Sequence, residues 1–252
     1  DWIKVSRFDF LDDAYPLGRA LRPVLLHCLP NGAAAIDSLR QQHWERLLTF
    51  LADSGSPHIA VHFGHLPRDW GQCSDETALL HHVVNYLREL RAWLPVPLLI
   101  ENSSIVPGVP EVLVRPDVIA RVCDWVGVDL LLDIAHVRIC ASQLGIDEQN
   151  YLRSLPLDRV REVHVNGVER SPSALHEIKG YCTSEMLERT KLWDSHGPVD
   201  AESFDLLEWT LQRCEPLIVS LEYGAWGRNY PIVVDVAVLR EQLEQLAALV
   251  RS

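Results

Sequence analysis

The chain has no run of 18 apolar residues, so it offers no helical membrane span. It has no CxxC pair. The six cysteines, Cys28, Cys73, Cys123, Cys140, Cys182 and Cys214, are scattered through a chain too long to need disulfide staples, and they read as reduced, mostly structural thiols. The N-terminus lacks a basic-then-apolar signal segment, so the expected compartment is the cytoplasm. Glycine-rich phosphate loops, a GxSxG elbow and an HExxH helix are also missing. Positive charge is in deficit, with 23 Lys+Arg against 35 Asp+Glu and a formal net charge of −12. That balance argues against broad electrostatic binding of nucleic acid. Lysine is scarce, with Lys4, Lys179 and Lys191 its members.

What is present is an ordinary globular composition over 252 residues, and 11 histidines against a single methionine. Short β-branched or Leu-rich runs alternate with helical patterns. Strands are expected at Trp2–Ser6, Val24–Leu29, His58–Phe63, Pro97–Asn102, Leu130–Ile134, Arg161–Val165 and Leu217–Glu222. Helical periodicity falls at Asp37–Ser54, Asp75–Trp93, Pro116–Val126, Asp200–Cys214 and Val234–Arg251. In the second of these, Leu79, Val83, Leu87 and Leu90 form the apolar stripe. This alternation predicts βα units and a parallel sheet. Nearly all-apolar strands such as VPLLI and PLIVSL fit a sheet covered on both faces. Without a glycine-rich first turn, an open nucleotide-binding sheet is disfavoured, and the expected fold is a single α/β domain over 1–252, a TIM-type (β/α)8 barrel. The strand count is one short of eight, which predicts a missing first βα unit. Residues 168–192 read as an insertion that could form a lid.

Chelating side chains recur near the C-terminal strand ends: His27, His62, Glu101, Asp133 with His136, His164 and Glu222, with Asp194 and His196 in the loop after the His164 strand. In a barrel these ends share one rim, where such enzymes place their active sites. Taken singly, each has a plain structural reading: a hydrogen-bonded core histidine, a salt-bridged strand end, a helix cap at Asp133, a loop turn at Asp194–His196. Taken together, several carboxylates and imidazoles at one mouth call for cations among them. Imidazole plus carboxylate without a thiolate cluster suits Fe, Mn or Zn, and this many donors exceed what one ion takes. Two ions are expected, or three. His65 lies just past His62 and is a candidate substrate contact. His43, His81 and His82 fall in helices, as surface or packing residues.

In order and spacing, these motifs resemble the multinuclear non-haem iron-dependent oxidative enzymes, the TIM-barrel family that includes the iron enzyme of methanobactin biosynthesis. The family pattern reads here as His27, His62, Glu101-Asn102, Asp133-Ile134-Ala135-His136, Glu162-Val163-His164-Val165-Asn166-Gly167, Asp194-Ser195-His196-Gly197 and Glu222. His136 stands where the family usually has Asn, and Lys4 where Glu is common. The resemblance implies one iron on His27, His62 and Glu101. It implies a second on Asp133, His164 and Glu222 with Glu101 as the bridge, and a third on His136, Asp194 and His196. Glu101, Asn102 and His65 are the candidate catalytic residues. The resemblance also implies an O2-dependent oxidase or oxygenase that modifies a side chain, chiefly Cys, of a ribosomally made precursor peptide. A separate small partner protein that recognises the leader peptide is expected, with neither nucleic acid nor membrane as partner. The rival reading is a divalent-metal barrel of another class, a sugar isomerase or an endonuclease IV-like hydrolase, doing Lewis-acid work without redox.

Overall fold

The computed structural model describes residues 2–6, 8–27, 41–64, 75–106, 109–172, 184–224 and 234–251. They form two compact units, Asp1–Glu101 with Gly108–Leu130, and Asn102–Pro107 with Leu131–Ser252. The expected helix start at Asp37 and the candidate contact His65 lie outside the described residues.

The first unit is built from β1 (Ile3–Ser6), α1 (Phe8–Leu21), β2 (Val24–His27), α2 (Gln41–Ser54), β3 (Ile59–His62), α3 (Glu76–Trp93), β4 (Leu98–Glu101) and α4 (Pro116–Val126). Its strands lie in chain order and pair in parallel. Val24, Leu25, Ile59, Leu99 and Ile100 are fully buried, which accounts for the unbroken apolar strand sequences. The predicted stripe of α3 is the face that packs: Leu79, Val83, Leu87 and Leu90 are all buried. Asp75 caps this helix, its carboxylate accepting from Thr77 N at 2.9 Å and Ala78 N at 3.3 Å. Pro116 opens α4 and Gly127, at φ 72°, closes it in the left-handed conformation. His81 and His82 are exposed on α3, as their place in the pattern suggested.

The unit boundary passes through β5 (Asp129–Asp133). The second unit continues with α5 (Ile134–Leu144), α6 (Glu148–Arg153), β6 (Val160–Val165), β7 (Val168–Glu169), α7 (Ser184–Arg189), β8 (Trp193–Asp194), α8 (Ala201–Leu211), β9 (Ile218–Leu221) and α9 (Val236–Arg251). Its main sheet runs β5-β6-β9, with β6 and β9 parallel, while β7 and β8 make a separate antiparallel pair at the two ends of the 168–192 insertion. The fifth strand ends one residue earlier than the Leu130–Ile134 expectation. Asp133 stops it by capping α5, accepting from His136 N at 2.8 Å. Arg138 on α5 is 3% exposed and ties three helices together: Nη1 meets Asp200 at 2.6 Å and Ser203 Oγ at 2.7 Å, and Nε meets Glu148 at 3.2 Å. No helix among the described residues is long and apolar enough to cross a membrane.

Helical periodicity in the sequence does not mark α1, α5, α6 or α7. In α5 the cause is plain. Every residue from Ile134 to Ala141 is buried, so the helix has no polar face to alternate with an apolar one. Pro16 interrupts the pattern in α1, and α6 is only 6 residues long.

Candidate metal centre

In the first unit, strand register brings three donors to one face. His27 pairs with Ala60, and His62, two residues further on, pairs with Glu101. Register partners in a parallel sheet share a face, as do residues two apart on a strand. His27 Nε2 lies 3.2 Å and His62 Nε2 3.4 Å from the same oxygen, Glu101 Oε2. The two imidazoles meet edge to face with ring centroids 5.4 Å apart. Their ligating atoms and a Glu101 oxygen all fall within 4.8 Å of one another, close enough for one ion. Glu101 is 1% exposed, whereas the His62 side chain is 18% exposed and forms the open side.

In the second unit, six predicted donors close into a ring of alternating carboxylates and imidazoles. Asp133 Oδ2 faces His164 Nδ1 at 3.9 Å, and His164 Nδ1 faces Glu222 Oε1 at 3.3 Å. Glu222 Oε2 faces His196 Nδ1 at 3.9 Å, and His196 Nε2 faces Asp194 Oδ2 at 3.1 Å. Asp194 Oδ2 faces His136 Nε2 at 3.7 Å, and His136 Nδ1 returns to Asp133 Oδ2 at 3.8 Å. Burial acts to raise the Asp194 carboxyl, but the adjacent His196 and His136 imidazoles hold it well below the usual carboxylate range. Burial acts to lower His196, and the Asp194 carboxylate overrides it and brings the imidazole up to about 9. A ring of this kind can exchange protons for cations, because each imidazole that gives up a proton exposes a lone pair beside a carboxylate.

Local structure holds the donors in place. The Asn102 amide is engaged with the main chain of Asp133, and the Asn102 carbonyl lies 2.7 Å from His136 Nδ1. His136 therefore turns Nε2 toward Asp194. Asn166 Nδ2 donates to Asp194 Oδ1 at 2.7 Å, leaving Oδ2 for the imidazoles. His196 takes φ 50°, in the left-handed region, and its carbonyl accepts from Gly224 N at 2.9 Å. Gly167 is where the Asp194–His196 loop comes closest: a Cβ there would stand 2.4 Å from Pro198 O and 2.7 Å from Gly197 O. Residue-by-residue reading did not assign roles to Glu162, Asn166 or Gly167. Glu162 did carry a signal, its two-residue spacing from His164 on one strand. The approach at Gly167 depends on a loop remote in sequence, so it left none.

A family profile described as "RiPP precursor modification enzyme MbnB/TglH/ChrH" matches residues 16–250; RiPPs are ribosomally synthesised, post-translationally modified peptides. A UPF0276 protein of Acaryochloris marina is 26% identical over 91% of this chain and 81% of its own length. A UPF0276 protein of Bordetella bronchiseptica is 31% identical over 79% of this chain and 64% of its own length, so the match spans just under two thirds of that relative. Among solved structures, a D-tagatose 3-epimerase-like protein superposes with a TM-score of 0.57 at 15% identity, covering 100% of this chain and 90% of its own. Endonuclease IV from Thermus thermophilus superposes with a TM-score of 0.53 at 15% identity, covering 98% of each chain. At these identities the structural likeness shows the fold alone, and that fold is the TIM-type α/β barrel class expected from the strand–helix alternation. The match across nearly the whole chain places this protein in the MbnB/TglH/ChrH family of RiPP precursor modification enzymes.

Proposed function

We propose that this protein is a multinuclear iron-dependent oxidase or oxygenase that uses O2 to modify a side chain, cysteine first, of a ribosomally made precursor peptide. The observation that supports it most is the donor chemistry: buried imidazoles and carboxylates in contact, in a member of a peptide-modifying family. Such a donor set, with no thiolate among the described clusters, fits iron and also admits Mn or Zn.

His27, His62 and Glu101 would hold one iron. Asp133, His164 and Glu222 would hold a second, and His136, Asp194 and His196 a third. Bound iron supplies one-electron chemistry and O2 activation, which amino-acid side chains lack. The remaining work belongs to the chain itself. Asn102, with its amide committed to Asp133, acts by positioning that carboxylate. Burial of Asp133, His136, His164 and His196 limits water at the ring, which strengthens the charge interactions there. His65 is assigned to substrate contact, and residues 168–192 to a lid over the bound peptide. A separate small protein would present the leader peptide, and the reaction would take place in the cytoplasm. The buried thiols of Cys123, Cys140 and Cys214 suit a reducing compartment.

The test is anaerobic purification followed by metal analysis and electron-spin resonance. Two or three irons per chain, a mixed-valence signal and O2 consumption on adding the precursor peptide are the expected results. Zinc or manganese alone, with no O2 uptake in the presence of peptide, overturns the reading in favour of Lewis-acid chemistry.

A further inference from the structure

We infer that Glu162 is a positioning residue that selects which ring nitrogen of His164 is offered to a metal. The inference rests on the metal-centre reading above and adds a residue to it.

An imidazole can ligate through only one of its nitrogens toward a given ion, and the hydrogen bond made by the other decides which. His164 Nε2 lies 2.8 Å from Glu162 Oε1, while Nδ1 points the opposite way, to Glu222 Oε1 at 3.3 Å and Asp133 Oδ2 at 3.9 Å. Glu162 is thus a carboxylate outside the ring, on the far side of one of its imidazoles. The strand dictates this placement. Residues 162 and 164 sit two apart on β6 and share a face, so the carboxylate is delivered alongside the ring by the backbone itself.

Both groups are sealed in, Glu162 at 1% and His164 at 0% exposure. Burying a carboxylate is costly unless its charge is met by strong donors. Glu162 Oε1 is met by the His164 ring and by Ser220 Oγ at 3.3 Å, and Ser220 is the register partner of His164 on β9. Two strands therefore converge on one carboxylate oxygen. A carboxylate accepts and does not donate, so the proton between the two is held on Nε2. Nδ1, which faces the Asp133 and Glu222 carboxylates, is the nitrogen free to give up its proton and offer a lone pair to a metal between them. The first cluster is built the other way round, with His27 and His62 both turning Nε2 to Glu101. The geometry accordingly assigns Nδ1 ligation to His164 and Nε2 ligation to His27 and His62.

The experiment uses zinc(II), a diamagnetic probe independent of O2 and of any peptide. The full chain, labelled with 15N-histidine, is titrated with zinc by calorimetry, and its ring nitrogens are followed by long-range 1H–15N correlation. The wild type is expected to show His164 bound through Nδ1 with a proton on Nε2. In Glu162→Ala one zinc site weakens about 10–100-fold and the fixed Nε2–H pattern is lost, while the zinc held by His27, His62 and Glu101 keeps its affinity. Glu162→Gln retains an acceptor oxygen for Nε2–H and falls between the two. It also keeps the test open should the alanine variant not fold. Unchanged zinc affinity and an unchanged His164 pattern in both variants, or wild-type ligation through Nε2, overturns the role of Glu162. A merely structural ion pair would lower the melting temperature without moving either readout. A wild-type chain that takes up no zinc, manganese or iron overturns the metal-centre reading itself, a separate result.

Discussion

The side chain of Asn102 forms a two-way hydrogen-bonded pair with the backbone of Asp133: Nδ2 donates to Asp133 O at 3.1 Å, and Oδ1 accepts from Asp133 N at 2.8 Å. An amide here does what a neighbouring strand would do, at the residue where β5 gives way to α5. Gln242 treats Val199 in the same way, with Nε2 to O at 2.9 Å and Oε1 accepting from N at 3.2 Å. Both devices satisfy buried main-chain groups at or next to a helix N-cap, Asp133 for α5 and Asp200 for α8.

Asn102→Ala should leave both Asp133 main-chain groups without this partner. The expected loss of stability is about 2–4 kcal/mol, from the usual cost of buried groups left unpaired. Urea unfolding of the metal-free protein measures it. Asn102→Asp should also be destabilised, because it sets an oxygen against the Asp133 carbonyl.

Gly167→Ala should displace the Ser195–Pro198 segment, since the new Cβ would meet backbone oxygens of Gly197 and Pro198 well inside contact distance. Ser195 is otherwise held there by its N and Oγ on Gly167 O, at 3.1 and 2.9 Å. The expected outcome is a loss of about 1–3 kcal/mol in thermal unfolding, typical of overpacking. Metal bound at the Asp194–His196 side of the ring should weaken in the same variant.

Glu101→Ala should lower metal content by at least one ion per chain, because His27 and His62 both direct Nε2 at the oxygen that is removed. Elemental analysis of anaerobically loaded protein checks this. An unchanged metal count would show that Glu101 is not a ligand.

The metal-free protein should show a defined pH dependence from the Asp194–His196 pair. His196 is raised from 6.5 to about 9, so its contribution is fully present below 6.5 and is lost as pH rises through about 9. Asp194 is depressed, so its contribution is present above the ordinary carboxylate value of 3.8 and is lost only as pH falls through its lower folded value. Denaturant midpoints should therefore form a plateau between about pH 4 and 6.5 and decline on the alkaline side. Asp194→Asn should shrink the alkaline decline and shift it to lower pH, with Glu222 and Asp133 still acting on His196.

Cys140 and Cys214 should resist alkylation at pH 8 in the folded protein. Burial pushes the Cys140 thiol up to about 12 and the Cys214 thiol up to about 11, and the thiolate is the reactive form. Peptide mapping after iodoacetamide treatment, with and without denaturant, should show modification of both only on unfolding.

Several features were readable directly from the sequence. Strands β2 to β6 stood out because residues buried on both faces must be apolar, so a His, Asp or Glu closing such a run is conspicuous; β9 has the same apolar sequence but is half-buried along its length. The Asp133–His136 spacing admitted a helix-start cap as one of its readings, and the structure shows that Asp133 caps α5 and also faces the ring. Helix α5 was not readable, because burial of every residue from Ile134 to Ala141 erases the 3.6-residue alternation on which periodicity depends.

By itself the sequence determined the order of the main-sheet strands, the parallel βα architecture and the candidate donor residues, all of which follow from local spacing and from which side chains tolerate burial. Which donors meet was decided only by the tertiary structure. Strand register joined His27, His62 and Glu101, and the close passage of Gly197 and Pro198 over Gly167 brought Asp194 and His196 to the ring. The direction each imidazole faces was likewise fixed by partners that lie on other strands or across loops, such as Glu222 and Ser220 for the His164–Glu162 pair. Those distances depend on how remote segments pack, and no spacing along the chain encodes them.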